Sequence, residues 1–205
     1  MANRNTQGFG LRPVSTLGDT PSTQGQSKYT IEAAYATTIF NGEPVILDRG
    51  GVTDAGGFIT TGCASTTNAV CGVLNGVFYN ASSTLKPTWA NGYAGAITPA
   101  NSENITAFVN DNPFQEYDVA LTAAMGASTN AQQAKIGLVG DVASTAGSSI
   151  NLKSSTALGT PATSGLGWAI IRKGEDPDNS DFTATFSTIV VVQNNKYNSW
   201  VAGIA

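Results

Sequence analysis

The feature that most constrains the fold is a series of short β-branched or aromatic runs, each broken by Gly, Asn or Asp. The series begins at Tyr29 and includes "YTIEAAYATTIF", "EPVILD", "GFITTG", "AVCGVLNGVFYN" and "ITAFV". Several runs alternate apolar and polar residues, which is the pattern of half-buried strands. Because no long helical segments separate them, the sequence predicts an all-β fold, either an antiparallel β-sandwich or a β-barrel.

Turn and cap residues predict two local structures within this fold. The glycine pairs of "DRGGVTDAGGF" (48–58) are typical of tight turns, so strands near 44–47 and 57–61 should form a hairpin. The stretch "TNAQQAKIG" is the helical candidate, because Thr129 or Asn130 can cap it and Gly137 can end it. We therefore expect at most one short helix.

Composition divides the chain into an extended N-terminal arm, residues 1–28, and a single β domain, residues 29–205. The first segment is rich in Gly, Pro, Ser and Thr and has few large apolar residues, which favours an extended segment over a packed element. Such an arm is either disordered or ordered by contact with a partner. In the second case, Phe9, Arg12 and Pro13 are the predicted contact residues for that partner.

The C-terminal third of the chain combines a segment of weak strand character with two runs of strong strand character. Residues 140–167 are rich in Ser, Thr and Gly, which is typical of weak strands or a long surface excursion. The runs "WAIIRKG" and "DFTATFSTIVVVQNN" restore strong strand character, and in the second Phe182 and Phe186 alternate with polar residues. The tail "NNKYNSWVAGIA" either contacts a neighbour through Tyr197 and Trp200 or is a frayed terminus.

The absence of histidine narrows the chemistry that this chain can perform. Neither a Ser-His nor a Cys-His nucleophile can be built, and Cys63 and Cys71 supply at most two of the four ligands that a structural zinc site takes. Carboxylate-based chemistry alone remains open, and because the two acidic candidates described below favour turns, we expect a non-enzymatic protein with no metal and no cofactor. The chain has 10 Lys and Arg against 14 Asp and Glu, and its scattered basic residues form no stripe for phosphates, so nucleic-acid binding is not expected.

No segment predicts secretion or insertion into a membrane. The start, "MANRNTQGFG", has no apolar core, and the densest apolar run, "STIVVVQ", is far shorter than the roughly 18 to 20 residues needed to cross a bilayer. We expect synthesis in a cytoplasm, where Cys63 and Cys71 would be free, buried thiols. A disulfide between them in oxidising surroundings is the alternative.

The stretch "NDNPFQEYDVAL" (110–121) is the first of two acidic candidate sites. Pro113 disfavours helix at Asn112, and the residues that follow predict a strand with Glu116 and Asp118 on one face, about 6 to 7 Å apart. Such a pair could serve a glycosidase or hold a cation. Because nothing nearby predicts a sugar cleft, we favour a turn followed by a solvent-facing row of side chains.

The stretch "GEDPDNSDF" (174–182) is the second acidic candidate. It contains Glu175, Asp176, Asp178 and Asp181, but it lacks the glycine at position six and the glutamate at position twelve of a helix-loop-helix calcium motif. We therefore predict an acidic turn before a strand, with a weak cation site as the alternative.

Several segments resemble those of small structural proteins of tailed-bacteriophage virions, of the head decoration or cement type. They are "GFGLRPV", "FNGEPVILDRGG", "CGVLNGVFYN", "ITAFVNDNPFQEYDVAL", "AKIGLV" and "DPDNSDFTATFSTIVVVQNNKYN", and together they extend over most of the chain. The resemblance runs from about Gly8 to Tyr197 and is most divergent over residues 140–167. None of these segments is a catalytic signature.

The resemblance implies a protein on the exterior of the virion capsid that binds the major capsid protein and forms a homo-oligomer, preferably a trimer. It also implies that the "NDNPF" turn and the strand after it are scaffold. The alternative is a head-tail or tail component of the virion with a carbohydrate- or receptor-binding role, in which Trp89 and Tyr93 stack on sugars.

Overall fold

In the part of the chain that the structure describes, regular secondary structure is almost entirely β, which confirms the all-β prediction. The computed structural model describes residues 3–18, 20–21, 25–48, 58–61, 70–143, 147–163 and 167–194. The strands of this part of the chain are β1 Arg12–Thr16, β2 Thr20–Pro21, β3 Gln26–Ile31, β4 Pro44–Asp48, β5 Phe58–Thr61, β6 Val70–Asn80, β7 Pro87–Ala90, β8 Ile105–Asn110, β9 Gln115–Leu121, β10 Val139–Gly140, β11 Val142–Ala143, β12 Ala157–Leu158, β13 Trp168–Lys173 and β14 Ser187–Gln193. One short helix, α1, is Thr129–Gln133, and 3-10 turns lie at Ala100–Ser102 and Pro177–Asn179.

The strands between residues 26 and 110 form a sheet that closes on itself. Neighbours pair in the order β4, β5, β3, β8 and β6, and β6 pairs back to β4. β7 is added along the second half of β6. We call this unit the barrel. Because successive side chains of a strand point to opposite faces, alternate residues such as Ile31, Val77, Ile105 and Val109 fill its interior.

Strands from both ends of the chain form the second unit, an eight-stranded sheet. Its strands follow the order β10, β13, β14, β9, β1 and β2, and β12 joins the end of β9 in parallel while also pairing with β11. β9 lies at the centre, antiparallel to both β1 and β14. The strand "QEYDVAL" predicted from the sequence is therefore the middle of a sheet.

The barrel and the eight-stranded sheet share a hydrophobic core. Tyr117 and Trp168 pack edge to face with ring centroids 5.5 Å apart, and both belong to the same buried cluster as Val70 and Val73 at the start of β6. The Tyr117 hydroxyl donates a hydrogen bond to the carbonyl oxygen of Asn110 at 3.1 Å, which ties β9 to the end of β8. The two units are thus packed together by apolar contacts and joined by hydrogen bonds.

The N-terminal segment differs from the predicted division at residue 28. β1 and β2 lie within the predicted arm, and β3 begins at Gln26, before the predicted boundary. β1 pairs with β9, and Leu11 is buried in the shared core. The reason is that β9 has an edge to be covered, and β1 satisfies its backbone groups although Gly and Pro content favours an extended arm.

The remaining local predictions have different outcomes. The hairpin over 44–47 and 57–61 is confirmed, because β4 pairs antiparallel with β5. The helix is confirmed, but the residue that caps it is Ser128, whose Oγ accepts a hydrogen bond from the Ala131 N–H at 3.3 Å. The strand predicted after residue 181 begins only at Ser187, because the residues before it form turns and Phe186 has a φ of 60°.

The described part of residues 140–167 contains only two-residue strands and bridges, which agrees with the prediction of weak strands. No helix in the described ranges combines the length and the apolar character needed to cross a membrane.

Candidate functional site

Glu116 and Asp118, the predicted pair of carboxylates, lie in two different environments. Glu116 is buried and accepts two hydrogen bonds at Oε2, one from Arg172 Nη2 at 2.8 Å and one from Ser15 Oγ at 2.5 Å. The prediction of a solvent-facing row is therefore wrong for Glu116. The reason is that β1 and β13 bring Ser15 and Arg172 to this carboxylate from distant positions in the chain, and strand periodicity gives no sign of these partners.

Asp118 borders an open cavity of about 510 Å³ on the same face of the sheet. Burial raises the pKa of Asp118 above its ordinary value, the nearby Arg172 and Arg12 lower it, and Asp176 and Glu175 raise it further. The carboxylate of Glu116 is thus neutralised by a direct partner, whereas that of Asp118 lies among charges of both signs. This arrangement gives Glu116 a structural role in joining three strands.

The acidic turn uses its carboxylates for contacts within the protein. Asp176 Oδ1 accepts from the Asp178 N–H at 3.1 Å and Asp176 Oδ2 accepts from Asn179 Nδ2 at 2.7 Å, while Asp178 forms an ion pair with Arg4 at 2.8 Å. Asp176 thus caps the 3-10 turn Pro177–Asn179, which confirms the prediction of an acidic turn. Within the described ranges, no group of three or more His, Cys, Asp or Glu side chains is placed to hold a metal ion.

The predicted contact residues of the N-terminal segment lie next to each other. The Arg12 guanidinium carbon lies 3.9 Å from the centroid of the Phe9 ring, and Pro13 is paired with Tyr117 across β1 and β9. The predicted contacts Tyr197 and Trp200 lie outside the described residues. Phe9 and Arg12 therefore form a unit on the surface, and their role in binding a partner stays a prediction.

Three aromatic side chains lie together on the outer face of the barrel. Phe78 on β6 is paired with Trp89 on β7, and the Trp89 and Phe108 rings have centroids 5.0 Å apart. Phe78 is 39% exposed and Trp89 is 53% exposed. Gly76 makes room for the indole, because a Cβ atom at this position would lie 2.5 Å from Trp89 Cζ2. We call Phe78, Trp89 and Phe108 the aromatic patch.

Tyr93 does not belong to this surface, although the sequence predicts that it could stack on sugars beside Trp89. It is fully buried in the barrel, where its hydroxyl donates to the Tyr35 carbonyl oxygen at 2.6 Å and accepts from the Ile97 N–H at 3.3 Å. Burial raises the pKa of Tyr93 above its ordinary value. The prediction is wrong for Tyr93 because its ring is buried among apolar side chains and its hydroxyl makes two hydrogen bonds within the protein, so the ring presents no surface to a sugar.

Cys71 is a buried free thiol, as predicted, and Cys63 lies outside the described residues. Burial raises the pKa of Cys71 to about 11. Tyr29 next to it donates a hydrogen bond to Asp111 Oδ2 at 2.9 Å, and burial likewise raises the pKa of Tyr29. A thiol with a raised pKa is a poor nucleophile at neutral pH, so this environment is typical of a structural cysteine.

No protein-family model, no curated protein and no solved structure matches this chain. The interpretation of its function therefore depends on the chemistry of the chain itself.

Proposed function

We propose that this protein is a non-enzymatic decoration protein of a phage capsid. In this proposal it binds the outer surface of the head, stabilises contacts between subunits of the major capsid protein and assembles with copies of itself, preferably as a trimer. The observation that carries the proposal is the aromatic patch, in which Phe78 and Trp89 are exposed on the sheet and Phe108 is half-buried beneath them. The resemblance of the sequence segments to decoration proteins supports the same function.

The aromatic patch has the properties of a protein-binding surface. Trp and other aromatic side chains contribute strongly to association because they bury a large area with few rotatable bonds. The patch is also preorganised, since Trp89 lies against Phe108 and over Gly76 before any partner arrives. On a lattice with many identical sites, modest interfaces of this kind add up to strong retention.

The test is binding of the purified protein to phage heads that lack it. The double variant Phe78→Ser and Trp89→Ser should weaken saturable binding by at least about tenfold, because two central apolar contacts are lost. Leu85→Ser is the matched control, because Leu85 is a large apolar residue that is 74% exposed and lies outside the patch. Equal binding of the double variant and the unchanged protein would contradict the proposal.

A second candidate function is a head-tail or tail component that binds carbohydrate or a receptor. The exposed indole of Trp89 favours it, because a flat aromatic ring is a stacking surface for a sugar. The number of copies per particle separates the two functions. Hundreds of copies are expected for a decoration protein, and about a dozen or fewer for a tail component.

A further inference from the structure

A polar cleft is lined by Phe9 and Arg12, and it shares Arg12 with the cavity that Asp118 borders. Its volume is about 580 Å³, within the roughly 300 to 1,000 Å³ typical of small-molecule sites. The residues that line it come from three segments, 7–12, 41–42 and 147–155. We call it the polar cleft.

The charged residues among the described lining of the polar cleft are all positive. Arg12 and Lys153 line it, and none of the described residues that line it is Asp or Glu. Within the described part of the chain, neither cation has a carboxylate within ion-pair distance. Asp118 faces Arg12 across β1 and β9, so Lys153 is the less compensated of the two cations. A chain with a net charge of -4 therefore contains a locally positive cleft.

The uncharged lining of the cleft is rich in hydrogen-bonding groups. Gln7, Asn41 and Asn151 have side-chain amides and Ser148 has a hydroxyl. Asn41 Nδ2 already donates to the Asn75 carbonyl oxygen and Asn151 Oδ1 already accepts from the Lys153 N–H, so a ligand would use the remaining amide atoms. Amides and hydroxyls both donate and accept hydrogen bonds, which matches the hydroxyl groups of a sugar. Large apolar groups are few in the lining, so an apolar ligand would gain little from this cleft.

Backbone hydrogen bonds hold the walls of the cleft together. The Leu11 N–H donates to the Gly42 carbonyl oxygen at 2.9 Å, which joins the first and second segments. The Asn41 N–H donates to the Leu152 carbonyl oxygen at 2.8 Å, and the Ser154 N–H donates to the Asn41 carbonyl oxygen at 2.9 Å, on either side of Lys153. The cleft is thus preformed, and a ligand would not have to order it.

We propose that the polar cleft binds an acidic saccharide, with its carboxylate or sulfate group at Lys153 and Arg12 and its hydroxyl groups on the amide and serine side chains. The cations supply charge-assisted hydrogen bonds and the neutral lining supplies the contacts to the ring hydroxyls. The cleft shares Arg12 with the predicted partner contacts but has no residue in common with the aromatic patch that carries the capsid proposal, so the two proposals can fail separately.

The test is titration of the full chain with four probes, monitored by the amide resonances of residues 7–12 and 147–155. Glucuronate and glucose 6-sulfate should bind and shift these resonances, and the stronger of the two identifies the preferred acid group. Glucose should bind at least about tenfold more weakly, because it lacks the charge-assisted contact. An acidic dipeptide that binds more tightly than both acidic sugars would overturn the proposal, as would glucose binding as well as glucuronate.

Lys153→Gln should weaken glucuronate binding at least fivefold. Lys86→Gln is the matched control, because it removes the same charge from an exposed lysine that does not line the cleft. An equal loss in both variants would show a general charge effect and would overturn the proposal. Binding of phage heads by Lys153→Gln reports on the capsid proposal separately, since the aromatic patch is unchanged in that variant.

Discussion

At the scale of single residues, the position of a carboxylate on a strand does not decide its role. Glu116 and Asp118 lie two positions apart on β9, where strand geometry alone makes them equivalent. Glu116 has Arg172 and Ser15 as direct partners, whereas Asp118 shares its surroundings with two cations and two other carboxylates. The difference comes from β1, β13 and the acidic turn, all of which are remote in sequence.

Glu116→Gln should lower the free energy of unfolding by about 1 to 3 kcal/mol, because it removes the buried negative charge that accepts hydrogen bonds from Arg172 and Ser15. Urea unfolding at neutral pH measures this change. Glu175→Gln is the control, since Glu175 is 92% exposed and lies 3.7 Å from the same arginine, so its loss should have almost no effect. Equal effects of the two substitutions would contradict the structural role of Glu116. The glycosidase alternative would require turnover of a polysaccharide that Glu116→Gln abolishes.

The Cys71 thiol should make stability fall at alkaline pH. Burial raises its pKa from 9.0 to about 11, so the folded state holds the proton more tightly than the unfolded state does. The stabilising contribution is complete below pH 9 and is lost as the pH rises towards 11, by at most about 3 kcal/mol. Tyr29, whose pKa is also raised, acts in the same direction.

Unfolding at pH 8 and pH 10.5 checks this pH dependence. The comparison uses Cys63→Ala as the background and adds Cys71→Ala to it, so that only one thiol differs. The loss of stability between the two pH values should be smaller when Cys71 is absent. A loss of the same size in both proteins would assign the alkaline destabilisation to other groups.

At the scale of elements, the sequence predicts the strands that have an apolar face but does not predict β1, which pairs with the edge of β9. β9, β13 and the β4 and β5 hairpin are recognisable because alternating or β-branched residues mark them. β1 is not recognisable, because all five of its residues are exposed or half-buried and its place is set by hydrogen bonds to β9, about a hundred residues later in the chain. Arg172 is not recognisable as the partner of Glu116 for the same reason, since a local pattern does not encode the pairing of distant strands.

Leu11→Ala should destabilise the protein by about 2 to 5 kcal/mol, because Leu11 belongs to the core shared by the barrel and the eight-stranded sheet. Deletion of residues 2–20 should be more harmful still, since it removes β1 and exposes the edge of β9. Thermal unfolding measures both effects.

A shorter deletion, of residues 2–6, serves as the control for this prediction. It removes the Arg4 ion pair with Asp178 but leaves Leu11 and β1 in place, so most of the stability should remain. If deletion of residues 2–20 left stability unchanged while weakening attachment to heads, the segment would function as the partner-binding arm that its composition predicts.

At the scale of the whole molecule, the proposed function requires self-association. Much of the surface is short of charge, since charged residues make up only 12% of the chain, and an aromatic patch lies on it. Native mass spectrometry of the purified protein should therefore detect a homo-oligomer, with a trimer as the main species. A monomer at every concentration up to that reached on a phage head would contradict the assembly part of the proposal.

The barrel is built from one continuous stretch of chain, residues 26 to 110, whereas the eight-stranded sheet combines strands from before and after that stretch. During translation β1 is synthesised first. The hydrogen bond from Ser15 to Glu116 can form only after a further 101 residues have been added. The barrel can close during that delay, because all of its strands have already been synthesised. The first strand therefore lacks β9 until the second half of the polypeptide is synthesised, and a ribosome that pauses with residue 110 just outside its exit tunnel should carry a nascent chain in which all barrel strands can pair and β1 cannot.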